Sequence, residues 1–150
     1  MRGDRLRCAQ RQRYLLEFRR QRYDRDRYFN RIINRADKKK VNGTSGRDYI
    51  INSGSKVTVQ AGRGNDTIVG SDTYGELFNA AATDGDDVIV NFGKGDTLQA
   101  VSGTLKYAVN GNDVIATITS GKKNATVTLT DAAALLDQGY TFIQSGKKLT

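Results

Sequence analysis

The chain of 150 residues has no histidine, no tryptophan, no proline and one cysteine, Cys8. Without histidine, Ser-His-Asp and Cys-His catalysis and histidine-based zinc sites are excluded. One cysteine cannot close an internal disulfide, so any staple in the fold is noncovalent or a metal. No run of 18 apolar residues occurs, which excludes a membrane-spanning helix. No apolar segment of the signal-peptide kind opens the chain. The length suits one domain and is short for two. No nucleophile paired with a base, phosphate-binding loop or catalytic metal cluster is visible, and Ser71 beside Asp72 has no base to activate it. Enzymatic activity is not expected of this chain, whatever a longer parent protein does.

What is present divides in two. The formal charge of +8 averages unlike segments. Residues 1–40 hold 15 Lys/Arg against 5 Asp/Glu, whereas residues 41–150 hold 9 against 11. Fifteen of the 16 glycines follow residue 41. The boundary near Lys38-Lys39-Lys40-Val41 separates a basic arm, residues 1–40, from a glycine-rich body.

The body repeats. "GTSGRDYII" (43–51) and "AGRGNDTIV" (61–69) align without gaps, which puts Gly46 with Gly64, Asp48 with Asp66 and Ile50 with Ile68. "NSGSKVTVQ" (52–60) lies between them at the same nine-residue length, with Val57 where the others have aspartate. "ATDGDDVIV" (82–90) repeats the turn-then-strand form with Gly85, Asp87 and Ile89 in register, about three residues late. Gly-Asn-Asp and Gly-Arg-Asp are good β-turn formers without any metal, which is one reading of these copies.

The three copies resemble the RTX, or haemolysin-type, calcium-binding repeat G-G-x-G-x-D-x-U-x, with U a large apolar residue. "AGRGNDTIV" departs from it only at Ala61, "GTSGRDYII" at Thr44, and "ATDGDDVIV" lacks both leading glycines. The resemblance covers roughly residues 42–98. It implies a mainly β fold: residues 41–100 as a short parallel β-roll in which two units make one coil and units 18 apart stack on one edge. Asp48 and Asp66 then superpose, and Ca²⁺, which takes six to eight oxygens, lies between coils. Carried onto matching positions, the implied ligands are the carboxylates of Asp48, Asp66 and Asp87, with the backbone near Gly43, Ser45, Gly46, Gly62, Gly64 and Gly85. Val57 faces the opposite edge, which is expected to have lost its ions. Asp72, Asp84, Asp86 and Asp96 are expected in turns or solvent, with Asp84 and Asp86 able to help a third site. The implied function is a calcium-binding structural module of a secreted or cell-surface bacterial protein, folding as the ion binds. A degenerate roll that stacks without binding tightly is the other reading.

"VIVNFGKGDTLQA" (88–100) resembles the end of such arrays, with Phe92 and Leu98 sealing the roll. Residues 101–150 lose the nine-residue period and read as an antiparallel cap. "TLKYAVNGNDVIATIT" (104–119) is a hairpin around Asn110-Gly111-Asn112, "NATVTLT" (124–130) a third strand, "DAAALLDQG" (131–139) a short helix capped by Asp131, and "YTFIQ" (140–144) a last strand. Asn124-Ala125-Thr126 matches a glycosylation acceptor, a triplet common by chance.

The basic arm has three readings. A basic, imperfectly amphipathic helix over residues 14–35 would suit nucleic acid or an anionic membrane surface, although no specific nucleic-acid motif is present. A solvated arm is the second. The third starts from Arg-Gln-Arg-Tyr at 11–14 and again at 20–23, nine residues apart. Codons for Gly-Asn-Asp-Thr, read one base out of phase, give Arg-Gln-Arg-Tyr. Residues 1 to about 36 are then a frameshifted, non-native translation of further repeats, expected to pack poorly on the roll. Salt-sensitive DNA binding that is lost on deleting residues 1–40 marks the first reading. The third predicts G-x-G-N-D-T repeats in the adjacent frame of the coding DNA, and sequencing that lacks them refutes it.

Overall fold

The computed structural model describes residues 30–73, 75–93, 95–135, 141–144 and 147–148. Eight short strands come first: β1 (Asn30–Asn34), β2 (Lys40–Asn42), β3 (Asp48–Asn52), β4 (Thr58–Gln60), β5 (Thr67–Val69), β6 (Leu77–Ala80), β7 (Asp86–Val90) and β8 (Thr97–Ala100). They alternate between two sheets. The odd strands pair in parallel in one and the even strands in the other, so the chain winds as a parallel β-solenoid of about four coils. Three longer strands follow, β9 (Thr104–Asn110), β10 (Asp113–Ser120) and β11 (Lys123–Leu129), and then β12 (Thr141–Gln144) and β13 (Lys147–Lys148).

Alternation in the sequence fixes which side chains point in. In β3 Asp48, Ile50 and Asn52 are buried while Tyr49 and Ile51 are half-buried outside. Each coil repeats the choice, so like stacks on like: Ile32, Ile50, Ile68, Ile89 and Leu129 in one sheet. Facing them in the other sheet are Val41, Val59, Phe78 and Leu98. Parallel in-register pairing is what superposes equivalent residues. Phe92 and Leu98, expected to seal an open end, instead lie inside the fourth coil. Phe92 packs against Phe78 with ring centroids 5.6 Å apart.

The array does not stop there. β9, β10 and β11 form an antiparallel meander with two-residue loops, Gly111-Asn112 and Gly121-Lys122, each with glycine first. β11 then pairs in parallel with β7, and β12 in parallel with β8. The expected antiparallel cap is therefore partly a hairpin excursion, after which both sheets continue. The physical reason is that β7 and β8 would otherwise present unpaired amides and carbonyls, and a parallel strand in each sheet satisfies them. The expected helix is a 3-10 turn at Ala133–Leu135, and its predicted end at Gly139 lies outside the described residues. Asp131 sits at φ 54°, unlike the extended backbone of an N-cap.

The compositional boundary at residue 40 falls at the start of β2. Poor packing up to about residue 36 does not hold for Asn30–Asn34, which lie in register on β3, Ile32 against Ile50 and Asn34 against Asn52. "NRIIN" has the same alternation as "DYIIN", which is why it pairs. Residues 1–29, including both Arg-Gln-Arg-Tyr copies, lie outside the described residues.

Phe78 is 1% exposed and central to the even-strand interior. Phe78→Ala is expected to cost about 3–5 kcal/mol in chemical denaturation. Val109→Ala, at an exposed position of β9, should stay within about 0.5 kcal/mol.

Candidate metal edge

The turns 43–47, 61–65 and 81–85 lie on one edge of the solenoid, each leading into an odd strand. Asp48, Asp66 and Asp87 stack there, all buried. The stack is bonded coil to coil. The Asp48 amide donates to Asp66 Oδ1 at 2.7 Å, and the Asp66 amide donates to Asp87 Oδ1 at 2.9 Å. Each carboxylate thus accepts the N–H of its equivalent one coil back. Asn30 continues the column, its Nδ2 donating to Asp48 Oδ1 at 3.1 Å.

Local sequence shapes each turn differently. In the first, Thr44 stands where the repeat has its second glycine. Its amide donates to Asp48 Oδ2 at 2.5 Å and its hydroxyl to Asp48 Oδ1 at 2.8 Å. Both Asp48 oxygens are therefore engaged. Gly64 and Gly85 hold equivalent places at φ 116° and 104°, a left-handed backbone that L side chains rarely adopt. A Cβ at Gly64 would lie 2.5 Å from the Gly46 carbonyl oxygen, and one at Gly85 would lie 2.4 Å from that of Gly64. Gly46 itself is not left-handed. Gly43 is needed for a close approach, since a Cβ there would lie 1.9 Å from the Ala61 carbonyl oxygen. Gly62 is left-handed at φ 89°, and Ser45 is exposed on the outer part of its turn. All nine residues singled out in the sequence therefore belong to one edge.

One atom on this edge lacks a partner: Asp66 Oδ2 is buried and makes no hydrogen bond. Burial drives the Asp66 carboxyl up to about 7, with the Asp48 and Asp84 carboxylates adding repulsion. Asp87 rises to about 8, again chiefly through burial, with Asp66, Asp84 and Asp86 contributing. Asp84, expected in a turn or solvent and able to help a third site, lies in the turn before β7 but is buried; it accepts the Ala81 amide at 2.7 Å through Oδ2 and is also raised by burial. Asp86 is exposed and accepts the Thr126 hydroxyl at 2.8 Å. A hard cation fits the donor chemistry at Asp66, which offers an orphaned carboxylate oxygen. The fit is local, because among the described residues no three acidic side chains converge on one point.

The opposite edge is not as expected. Val57 is fully buried there, but its column continues with Glu76 and Asp96, both buried acids. Glu76 accepts the Ser71 amide at 3.1 Å and the Asn52 side-chain amide, and its own amide donates to Asp96 Oδ1 at 3.1 Å. Burial pushes Glu76 up to about 7 and raises Asp96 as well. The signal was present as Gly75-Glu76-Leu77-Phe78 and Gly95-Asp96-Thr97-Leu98, each an acid between glycine and an inward apolar residue. Glycine directly before the acid, instead of two residues before it as in Gly46-Arg47-Asp48, hid it.

No family model matches the chain, and no curated protein matches it. Among solved structures it is similar to the solution structure of the AlgE6R2 subunit from the Azotobacter vinelandii mannuronan C5-epimerase. The identity is 19% and the TM-score 0.48, over 81% of this chain and 96% of that one. A likeness of that size carries no role across.

Acids whose folded pKa is raised favour the protonated state. Below pH 4 they are neutral in both states and cost nothing. Between pH 4 and about 8 the unfolded chain is ionised while Asp66, Asp87 and Glu76 resist, so stability falls as pH rises. In chelator, the melting temperature should therefore drop from pH 4 to pH 8, and Glu76→Gln should flatten part of the slope. A melting temperature that climbs over that range refutes the assignment.

Proposed function

We propose that the chain is a calcium-binding β-roll module of a secreted or cell-surface bacterial protein, with a structural rather than catalytic role. The observation that carries the reading is Asp66 Oδ2, a buried carboxylate oxygen without a partner, in a column of stacked aspartates. A divalent cation supplies the positive charge that keeps such a carboxylate ionised inside the fold. The solenoid with RTX-like turns supports the same reading.

Asp66 would hold the ion, with backbone carbonyls of the flanking turns, those of Gly46, Ala61 and Gly64, as neutral oxygens. Asp87 neighbours this set through the Asp66 amide. Asp48 contributes less, because Thr44 and Asn30 occupy its oxygens. The Asp48, Asp66 and Asp87 carboxylates repel one another in a closed metal-free coil. Binding is therefore coupled to folding: calcium at a hundredfold excess over its Kd stabilises the fold by about 2.7 kcal/mol. Such a module would be loose where calcium is scarce and closed where it is abundant, which suits export.

The test is a calcium titration of the full chain followed by far-ultraviolet circular dichroism. Asp66→Asn keeps an acceptor for the Asp48 amide and removes the charge. The wild type should gain β signal with calcium, and the variant's midpoint should move about tenfold higher. An unmoved midpoint removes Asp66 from the site, and a wild-type spectrum indifferent to calcium ends the reading.

A further inference from the structure

The opposite edge carries a groove that the calcium reading does not use. Asn34 donates through Nδ2 to Asn52 Oδ1 at 2.7 Å, which starts a column of side-chain amides. One coil later the residue after Val69 is Gly70, so the column has a gap there, and Asn91 resumes it. The Glu76 carboxylate and the Phe78 ring close that gap from within. Beside it on the outer surface lies a groove of about 450 Å³, a size within the usual range of small-molecule sites.

The walls are of two kinds. Ile51 and Val69 give an apolar side formed by neighbouring outward positions of β3 and β5. Facing it is a polar side built from Asp72, Thr73 and Asn91. That polar side is preorganised. Asn91 Nδ2 donates to the Gly70 carbonyl at 3.2 Å and to Asp72 Oδ1 at 2.8 Å. The Thr73 hydroxyl donates to the Gly54 carbonyl at 3.3 Å. Asn91 is also held at φ 66°, one of four left-handed non-glycine residues among those described. Asp72 is the only charged residue among the described residues of the lining, and the carboxylate of Glu76 lies under the floor, 2.9 Å from where a Cβ of Gly70 would be.

The geometry points to a binding site for a neutral saccharide unit. A pyranose presents a C–H face and a rim of hydroxyls. Ile51 and Val69 suit the face. The Asp72 carboxylate, paired with the Asn91 amide, suits adjacent hydroxyls, accepting from one while the amide oxygen accepts from another. Sugar acids and phosphorylated sugars are disfavoured, because the Asp72 carboxylate repels an anion. The inference is independent of the calcium reading, since it uses the other edge and none of the residues assigned to the ion.

The test uses the full, isotope-labelled chain in calcium, titrated with glucose, mannose, galactose, N-acetylglucosamine, galacturonate and a Gly-Ser-Gly peptide, and read by amide chemical shifts. At least one neutral sugar should produce saturable shifts confined to residues 51–53, 69–73 and 91. Asp72→Ala should weaken that binding about tenfold while leaving the rest of the spectrum in place. Val69→Ser, which keeps the polar wall and removes the apolar one, should weaken it as well. The inference is overturned by any of four outcomes: no neutral sugar saturates, only galacturonate or the peptide does, the shifts lie elsewhere, or Asp72→Ala binds as wild type.

Discussion

The fold rests on a carboxylate of one coil accepting the backbone N–H of the equivalent aspartate in the coil before. Asp66 does this for Asp48, and Asp87 for Asp66. Each contact fixes the axial register at the point where a turn becomes a strand. A slip by one residue would turn every inward isoleucine out and put the carboxylate against an outward side chain. The aspartate column and the apolar columns behind it therefore enforce the same alignment, and neither would hold it as firmly alone. A price is electrostatic: three like charges are stacked in a buried place, and burial lifts Asp66 and Asp87 far above the ordinary carboxylate range.

That cost gives the edge its chemistry. Hydrogen bonds satisfy one oxygen of Asp66 and leave the other orphaned. A cation and a proton are the two partners that relieve a buried carboxylate, so the proposed metal response and the pH response would run through the same groups. The opposite edge has solved the problem differently. Glu76 reaches into the gap at Gly70 and takes two kinds of N–H donor, from the Ser71 backbone and the Asn52 side chain. Both of its contacts are internal, and the asparagine column carries the register there. The two edges thus perform the same mechanical task with different side chains, and among the described residues only the aspartate edge leaves a buried carboxylate oxygen free.

Much of this was legible. The eighteen-residue spacing of Gly64 and Asp66 against Gly46 and Asp48 placed the coil length, the inward isoleucines and the stacked acids, because periodicity in a solenoid maps directly onto position. The hairpin at Gly111 was legible for the same local reason, a two-residue turn between alternating strands. Glu76 and Asp96 were not, since Gly75 and Gly95 stand directly before the acid, whereas Gly46, Gly64 and Gly85 stand two residues before it. Nor was the pairing of Asn30–Asn34 read, because the arginines around it masked an alternation shared with Asp48–Asn52. The return of β11 to β7 depends on unpaired strand edges some forty residues back in the chain, a nonlocal cause with no local signature.

The sequence by itself determined the local conformations: which residues turn, which alternate, and that equivalent aspartates recur at one point of each coil. Those follow from φ preferences and from side-chain period, which are properties of neighbours in the chain. Only the tertiary structure decided which acids share an edge, which oxygens are consumed by amides, and which outward residues line a common groove. Those outcomes depend on how coils of unequal length superpose, and superposition is settled by the packing of the whole stack.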